Sequence, residues 1–405
     1  MIGRPRALVR SISPGLIAGA SDNDPTTVGT LAVVGATTAY ALSWLAVLLL
    51  PMLVVIQVIA AQVGVMTGAG LQEVVARRWR RPLVAVFLAS VVVVSVFTIA
   101  ADLEAGAAAL GLIFHIGWSW LVAPLGVVLL GLLVVGSYDE VVAVLRWVLL
   151  AFVAYVVSAF LAHPRWGTVL RASVVPTFNL SHDYVDGALA LLGTTLTSYV
   201  FVWQSIEESE EGRHSQQLGA ARMGAAVGIG LAVVIFWFIL VGTGATLGQH
   251  HVHIQTADQA AQALQPLAGS SSRYVFGVGL LASAVVALPV LMATTAHVVG
   301  DSFDWRTGLS ERITKAGRFY AVLGASIALG AAISLVGISP IQILFVASIA
   351  GGLGTPVSLV FLLRVAGDEQ VMVGRPVSRW LRVSGWVVAA LLSGLSFTYL
   401  AVHVV

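Results

Sequence analysis

The chain has 405 residues, of which 58% are hydrophobic and 10% are charged, with a formal net charge of +2. Soluble domains carry about 25% charged residues, so this composition excludes a soluble globular protein and indicates an integral membrane protein. The small net charge gives no indication of a nucleic-acid partner. The lack of cysteine excludes disulfides, thiolate metal ligands and thiol nucleophiles.

Apolar runs of roughly 20 residues recur along the chain, which is the length of a membrane-spanning helix. No segment has the alternating pattern of about ten residues that is typical of barrel strands. We therefore predict an all-α integral membrane protein with a single transmembrane domain over residues 1–405. Eleven spans are expected, at about 13–37, 41–66, 83–112, 118–136, 140–162, 184–209, 219–248, 272–300, 317–337, 341–365 and 381–403.

The distribution of basic residues predicts the orientation of these spans. If the N-terminus is cytoplasmic, only Arg165, Arg171 and Arg273 of the 21 Lys and Arg residues fall on the outer side. Positive charge accumulates on the cytoplasmic side of membrane proteins, so we expect a multi-pass plasma-membrane protein with its C-terminus outside. The block Arg77-Arg78-Trp79-Arg80-Arg81 is interpreted as a membrane-surface anchor.

The first span carries Ser21-Asp22-Asn23-Asp24-Pro25-Thr26-Thr27 near its middle. A charge at bilayer depth costs at least about 2.5–3.5 kcal/mol. Pro25 removes a backbone donor and disfavours helical angles at Asp24, so the helix should break there. Acids at such a break indicate a cation site. With no basic partner at that depth, Asp24 is predicted to be a ligand. Asp22 either points to the same side as a further ligand or lies at the edge of the cavity, and Asn23 supports the site or lines the pathway.

The third span contains two acids, Asp102 and Glu104. Residues two apart face different sides of a helix, so at most one of them is expected to face a central cavity. A proton relay and a structural hydrogen bond both remain open for these carboxylates.

The sixth span carries the polar cluster Gly193-Thr194-Thr195-Leu196-Thr197-Ser198-Tyr199 at its middle. It lies five spans after the first, as expected for two inverted halves, at about 13–162 and 184–365, followed by an extra helix at about 381–403. Such repeats place the substrate between two broken helices, although a Thr hydroxyl can also simply bond back to the preceding turn. Gln204, near the inner face, either lines an exit path or caps the helix.

Three motifs resemble NRAMP-type divalent-metal transporters. Pro14-Gly15-Leu16-Ile17 followed by Asp24-Pro25-Thr26-Thr27 resembles their first helix, whose hallmark is Asp-Pro-Gly-Asn. Gly193 to Tyr199 looks like their sixth helix, where the pattern is Gly-Ala-Thr-Val-Met-Pro-His, and Ala101-Asp102-Leu103 is similar to the Asp-Leu-Ala-Glu stretch of their third helix. The resemblance covers essentially the whole chain. It implies a LeuT/APC-like 5+5 inverted repeat with helices 1 and 6 broken.

The resemblance also implies roles for individual residues. Asp24 is the carboxylate ligand, Thr27 and Thr197 occupy ligand positions with changed chemistry, and Ser21 and Thr194 offer backbone carbonyls. Thr197 replaces the metal-binding Met of the family, and a thioether is the ligand that favours soft metals. The remaining all-oxygen site is similar to that of the NRAMP-related magnesium transporter branch.

Two further departures bear on coupling and cavity size. Tyr199 replaces the family's His, and Ala105 stands where the family has the second acid of the third helix, with Glu104 displaced by one. These changes imply weak or absent proton coupling. In the tenth helix, the small residues of Gly351-Gly352-Leu353-Gly354 are expected to enlarge the cavity for a partly hydrated ion.

We therefore expect a secondary transporter, not an enzyme, that needs no cofactor and moves a divalent cation as its substrate. Mg²⁺ is favoured and Mn²⁺ accepted, because hard cations prefer oxygen ligands. The alternatives are a proton-coupled Mn²⁺ importer and an organic-solute symporter of the amino-acid type on the same fold. Two acids at the break argue against the symporter. The chain is expected to lie in the lipid bilayer and to need no obligate protein partner.

Overall fold

A computed structural model describes residues 18–19, 21–135, 153–212, 215–248 and 254–404 of the chain. All regular structure in these ranges is helical. The α-helices are α1 (Pro25–Thr38), α2 (Ser43–Thr67), α3 (Leu71–Arg78), α4 (Arg81–Phe114), α5 (Ser119–Val135), α6 (Trp166–Val174), α7 (His182–Thr195), α8 (Ser198–Glu210), α9 (Leu218–Thr246), α10 (Ala257–Ala261), α11 (Gln265–Ala268), α12 (Ser272–Ser302), α13 (Gly317–Ser334), α14 (Pro340–Gly367) and α15 (Arg379–Val404). Residues 153–161 are also helical, and short 3-10 turns cover Ser215–Gln217, Gln262–Leu264 and Gly269–Ser271.

The predicted spans correspond to these helices. In the described ranges, eight helical segments are long and apolar enough to cross a membrane, and they match the second, third, sixth to eighth, ninth, tenth and eleventh predicted spans. The fourth span is the shorter apolar helix α5. Most of the fifth span, at 140–162, and the start of the first lie outside the described residues. The all-α membrane fold is confirmed, whereas the boundaries of the two half-repeats stay predictions.

The first span is interrupted where the sequence predicts it. Asp24 has an extended backbone, with φ −69° and ψ 164°, and α1 starts at Pro25. Because proline has no amide hydrogen, it fits the first position of a helix and cannot continue a preceding one. The Asp24 side chain then caps α1 by accepting a hydrogen bond from the Thr27 amide at 2.7 Å.

The sixth span is interrupted at Leu196 and Thr197, between α7 and α8, although no proline is present there. Thr197 has an extended backbone, with φ −68° and ψ 138°. Its hydroxyl donates to the carbonyl of Thr194 at 2.5 Å and lies 3.2 Å from that of Gly193. These carbonyls at the end of α7 have no amide partner within the helix. The Thr197 hydroxyl provides a hydrogen-bond donor for them and stabilises the break.

The helix α1 lies in the centre of the molecule, in contact with α4, α7, α9, α12 and α14. The approach of α7 to α14 is unusually close. A Cβ at Gly193 would overlap the Ser348 carbonyl and the Gly352 backbone, and a Cβ at Gly352 would overlap Leu189. The expectation that Gly351 and Gly352 enlarge a cavity is therefore wrong. Their missing side chains let two backbones meet, and no open space remains beside them.

This contact predicts the effect of a small substitution. We expect Gly193→Ala to destabilise the protein by roughly 1–3 kcal/mol, because the added methyl group forces α7 away from α14. The measurement is the thermal unfolding midpoint of the purified protein in detergent. The matched control is Gly131→Ala in α5, where an added Cβ meets no atom within 4 Å. Equal midpoints for the two variants would contradict the tight contact.

Candidate functional site

Asp24 is a buried carboxylate at the break of the first span, with an exposed fraction of 1%. One oxygen accepts from the Thr27 amide at 2.7 Å, and the other accepts from the Tyr199 hydroxyl at 2.8 Å. Tyr199 also lies 2.9 Å from the Ser21 carbonyl, so one phenol connects both sides of this break with the start of α8. A carboxylate has about four acceptor positions, and two are used here. Asp24 therefore keeps the capacity to bind a cation.

Two threonine hydroxyls join the two breaks. The hydroxyl oxygens of Thr27 and Thr194 lie 2.9 Å apart, and the Thr27 hydroxyl lies 3.4 Å from the Thr194 carbonyl. Both side chains are fully buried. A hydroxyl can rotate to donate a hydrogen bond or to present its lone pairs, so this pair can turn oxygen toward a cation. The Thr197 hydroxyl, in contrast, is used to cap α7.

Asp102 joins the third span to the first break. One oxygen of its carboxylate accepts from both the amide and the hydroxyl of Thr26, at 2.9 and 2.6 Å. The amide of Thr26 is one of the four that begin α1 without a helical partner. Asp102 therefore stabilises the start of α1, while its second oxygen has no hydrogen-bond partner.

Three other polar side chains of the first and third spans are buried and incompletely paired. Both carboxylate oxygens of Asp22 and of Glu104 have no hydrogen-bond partner. Asn23 donates to the Gly19 carbonyl at 3.1 Å, but its side-chain oxygen has no partner. Buried acids that are neither ion-paired nor hydrogen-bonded are costly, and in membrane spans they indicate function by default.

Gln204 is not part of this cluster. It lies on α8 seven residues after Thr197, which corresponds to about 10 Å along a helix. Its amide donates to Glu208 at 2.9 Å, so it belongs to a buried polar group nearer the C-terminal end of α8. Of the residues predicted from sequence, the structure brings together Ser21, Asp22, Asn23, Asp24, Thr27, Asp102, Thr194, Thr197 and Tyr199 around the two breaks.

Two residues of the site are missed by sequence reasoning. The Ser348 hydroxyl on α14 lies 2.6 Å from that of Thr30, one turn beyond Thr27. On α12, the Ser283 hydroxyl donates to the Asn23 carbonyl. Ser348 lies three residues before Gly351, so a search for polar residues one turn upstream of the glycines would have found it. Ser283 has no comparable signal in the sequence.

The charge of the site comes from its carboxylates. Among the described residues, no Lys, Arg or His forms an ion pair with Asp22, Asp24, Asp102 or Glu104. The same part of the chain has no group of three or more His, Asp or Glu side chains placed to hold a metal ion. A cation here would meet one carboxylate together with hydroxyl, carbonyl and water oxygens. That is the chemistry of a transient site for a hard ion.

The role of Asp102 at the start of α1 can be tested by substitution. We expect Asp102→Ala to destabilise the protein by about 1–3 kcal/mol, because the buried Thr26 amide and hydroxyl would lose their partner. The readout is the thermal unfolding midpoint, with amide hydrogen exchange at Thr26 as a local measure. Asp102→Asn, which keeps an acceptor oxygen, is the control and should retain most of the stability. Similar losses in both variants would argue against this hydrogen-bonding role.

Comparison with known proteins finds relatives over nearly the whole chain. Residues 15–402 match the family described as natural resistance-associated macrophage protein-like, Nramp. The chain is 28% identical to the divalent metal cation transporter MntH of Deinococcus radiodurans, over 96% of this chain and 89% of that protein. It is 25% identical to MntH of Klebsiella pneumoniae, over 95% of this chain and 92% of that protein.

The fold is shared with solved structures as well. The manganese transporter of Eremococcus coleocola, in complex with an aromatic bis-isothiourea substituted compound, superposes with a TM-score of 0.80 at 19% identity. The match covers 98% of this chain and 87% of that one. The family match extends over nearly the whole chain and includes both helix breaks. The chain therefore belongs to the Nramp family of multi-pass divalent-metal transporters.

Proposed function

We propose that the chain moves Mn²⁺ across the plasma membrane by alternating access, with Asp24 as the charged ligand of the ion. The observation that carries the proposal is a buried carboxylate with free acceptor capacity at the break of one helix, facing the break of another. Unwound segments of this kind expose carbonyl oxygens and helix ends toward a transported ion.

The oxygen donors around Asp24 support a hard cation. Thr27 and Thr194 contribute hydroxyls, and Ser21 and Thr194 contribute carbonyls. Thr197 is the position at which the resemblance expects a sulfur ligand, and here it is a hydroxyl. Carboxylate, carbonyl and water suit Mn²⁺ and Mg²⁺, whereas sulfur suits softer metals.

The relatives favour manganese over the magnesium preference expected from the sequence. The manganese transporter of Eremococcus coleocola has the same fold, and the relatives from Deinococcus radiodurans and Klebsiella pneumoniae are named divalent metal cation transporters. Mg²⁺ is the second candidate, and the observation in its favour is the single carboxylate. Mg²⁺ keeps several of its waters and needs only one or two carboxylates.

Proton coupling is supported by the unpaired acids. Asp22 and Glu104 are buried with no hydrogen-bond partner, and Asp102 has one free oxygen. Carboxyl groups buried in this way can take up and release protons during transport. We therefore propose proton-coupled transport of Mn²⁺, in place of the weak coupling expected from Tyr199 and Ala105.

The orientation rests on charge. We propose that the N-terminus is cytoplasmic and the C-terminus external, because that arrangement leaves only Arg165, Arg171 and Arg273 of the 21 Lys and Arg residues outside.

The site is tested by substitution of Asp24 in proteoliposomes. We expect Asp24→Asn to reduce Mn²⁺ uptake to the level of protein-free vesicles, because the ion loses its one charged ligand. The control is Asp258→Asn, which changes an exposed acid outside the site and should leave uptake unchanged. Thermal unfolding of both variants checks folding. Wild-type uptake by a folded Asp24→Asn variant would refute the site.

The same vesicles distinguish the substrate and the coupling. Uptake of Mn²⁺ and Mg²⁺ is compared, with a pH-sensitive dye inside. Manganese uptake with internal acidification supports the proposal. Magnesium uptake at neutral internal pH supports the second candidate, and uptake of an amino acid instead of either ion would overturn both.

Selectivity at Thr197 gives a second prediction. We expect Thr197→Met to raise Cd²⁺ uptake relative to Mn²⁺ several-fold, because a thioether binds a soft ion better than a hydroxyl does. The isosteric control is Thr197→Val, which also removes the hydroxyl from the α7 carbonyls but adds no sulfur. An unchanged Cd²⁺ to Mn²⁺ ratio in Thr197→Met, or an equal rise in Thr197→Val, would speak against a ligand position here.

A further inference from the structure

A cavity with a volume of about 1070 Å³ shares no lining residue with the proposed cation site. It opens where three helix ends meet, namely the start of α4, the end of α14 and the start of α15. Five arginines line it: Arg78, Arg80, Arg364, Arg379 and Arg382. On the orientation proposed above, this end of the molecule faces the cytoplasm.

The positive charge of this arginine cavity is mostly uncompensated. The one acid in its lining is Asp368, which pairs with Arg78 at 3.3 Å. The other four arginines have no acidic partner among the described residues. The Nε atom of Arg382 is buried and has no hydrogen-bond acceptor. A guanidinium presents a planar set of donors that suits a phosphate group, so the chemistry of this cavity favours an anion with phosphate oxygens.

The cavity also has an apolar wall that continues onto the surface of the helices. Leu83, Val383 and Trp386 line it and are 46%, 49% and 40% exposed. Exposed aliphatic side chains on membrane-spanning helices face lipid chains, and tryptophan is enriched at the level of the headgroups. The arginines and the apolar wall together match a molecule with a charged head and a hydrocarbon tail.

We propose that the arginine cavity binds the phosphodiester headgroup of an anionic phospholipid from the inner leaflet. Its acyl chains would lie along Leu83, Val383 and Trp386. Basic pockets between transmembrane helices on the cytoplasmic side are suited to such headgroups. A bound lipid of this kind would connect α4, α14 and α15 at one end of the protein. The inference does not depend on which cation is transported.

The experiment uses the full chain reconstituted in phosphatidylcholine bilayers that contain a trace of spin-labelled lipid. Electron paramagnetic resonance gives the immobilised fraction of labelled phosphatidylglycerol and of labelled phosphatidylcholine. We expect the wild type to prefer phosphatidylglycerol, since each basic residue near an anionic lipid contributes about a fivefold preference. The triple variant Arg364→Gln, Arg379→Gln, Arg382→Gln should lose most of this preference, because only Arg80 and the Asp368-paired Arg78 remain in the cavity.

The matched control removes three other exposed basic residues that the same charge rule places on the inner side, with Arg312→Gln, Lys315→Gln and Arg375→Gln. It should keep the wild-type preference. Both triple variants must retain the wild-type unfolding midpoint in phosphatidylcholine, which separates a lost lipid site from a lost fold. Equal immobilisation of the two lipids by the wild type, or equal losses in the two triple variants, would overturn the proposal. Displacement of labelled phosphatidylglycerol by soluble glycerol phosphate would also overturn it, because the site would then bind a free phosphate.

Discussion

The structure depends on one interaction, which is the set of hydrogen bonds that holds the buried carboxylate of Asp24 at the break of the first span. Asp24 accepts from the Thr27 amide on one side and from the Tyr199 hydroxyl on the other. The first donor exists because Pro25 starts a new helix, and the second exists because α8 begins close to the same point. The break in the first span therefore places a hydrogen-bond donor, the Thr27 amide, beside the acid that lies at that break. The second broken helix provides the other donor.

The need for hydrogen-bond partners also explains why threonines are concentrated at the two breaks. Each break leaves amides and carbonyls without helical partners, and water is scarce at that depth. Thr26 brings Asp102 to the first break, Thr197 returns its hydroxyl to the end of α7, and Thr27 meets Thr194 between the two. A threonine hydroxyl both donates and accepts, so one residue type can serve all three contacts. The polar groups that stabilise the fold are thus the groups that surround the proposed ion.

Much of this arrangement could be predicted from sequence because its signals are local. Pro25 after Asp24 specifies the first break, and the polar run from Gly193 to Tyr199 marks the second even without a proline. The partner of Asp102 could not be predicted, because it depends on a contact between residues 76 positions apart. The close contact at Gly352 could not be predicted for a different reason. A glycine in a membrane helix can leave space or allow two backbones to touch, and only the neighbouring helix decides which.

The contact between Gly193 and α14 also limits how the protein can change shape. Side-chain layers normally let packed helices slide past one another by small amounts. Between α7 and α14 no such layer exists at this point, and Thr30 and Ser348 join α1 to the same helix. The helices α7 and α14 should therefore move together as one block. We expect the hinge motion that exposes the ion to either side to occur at Leu196 and Thr197, where the backbone between α7 and α8 departs from helical geometry.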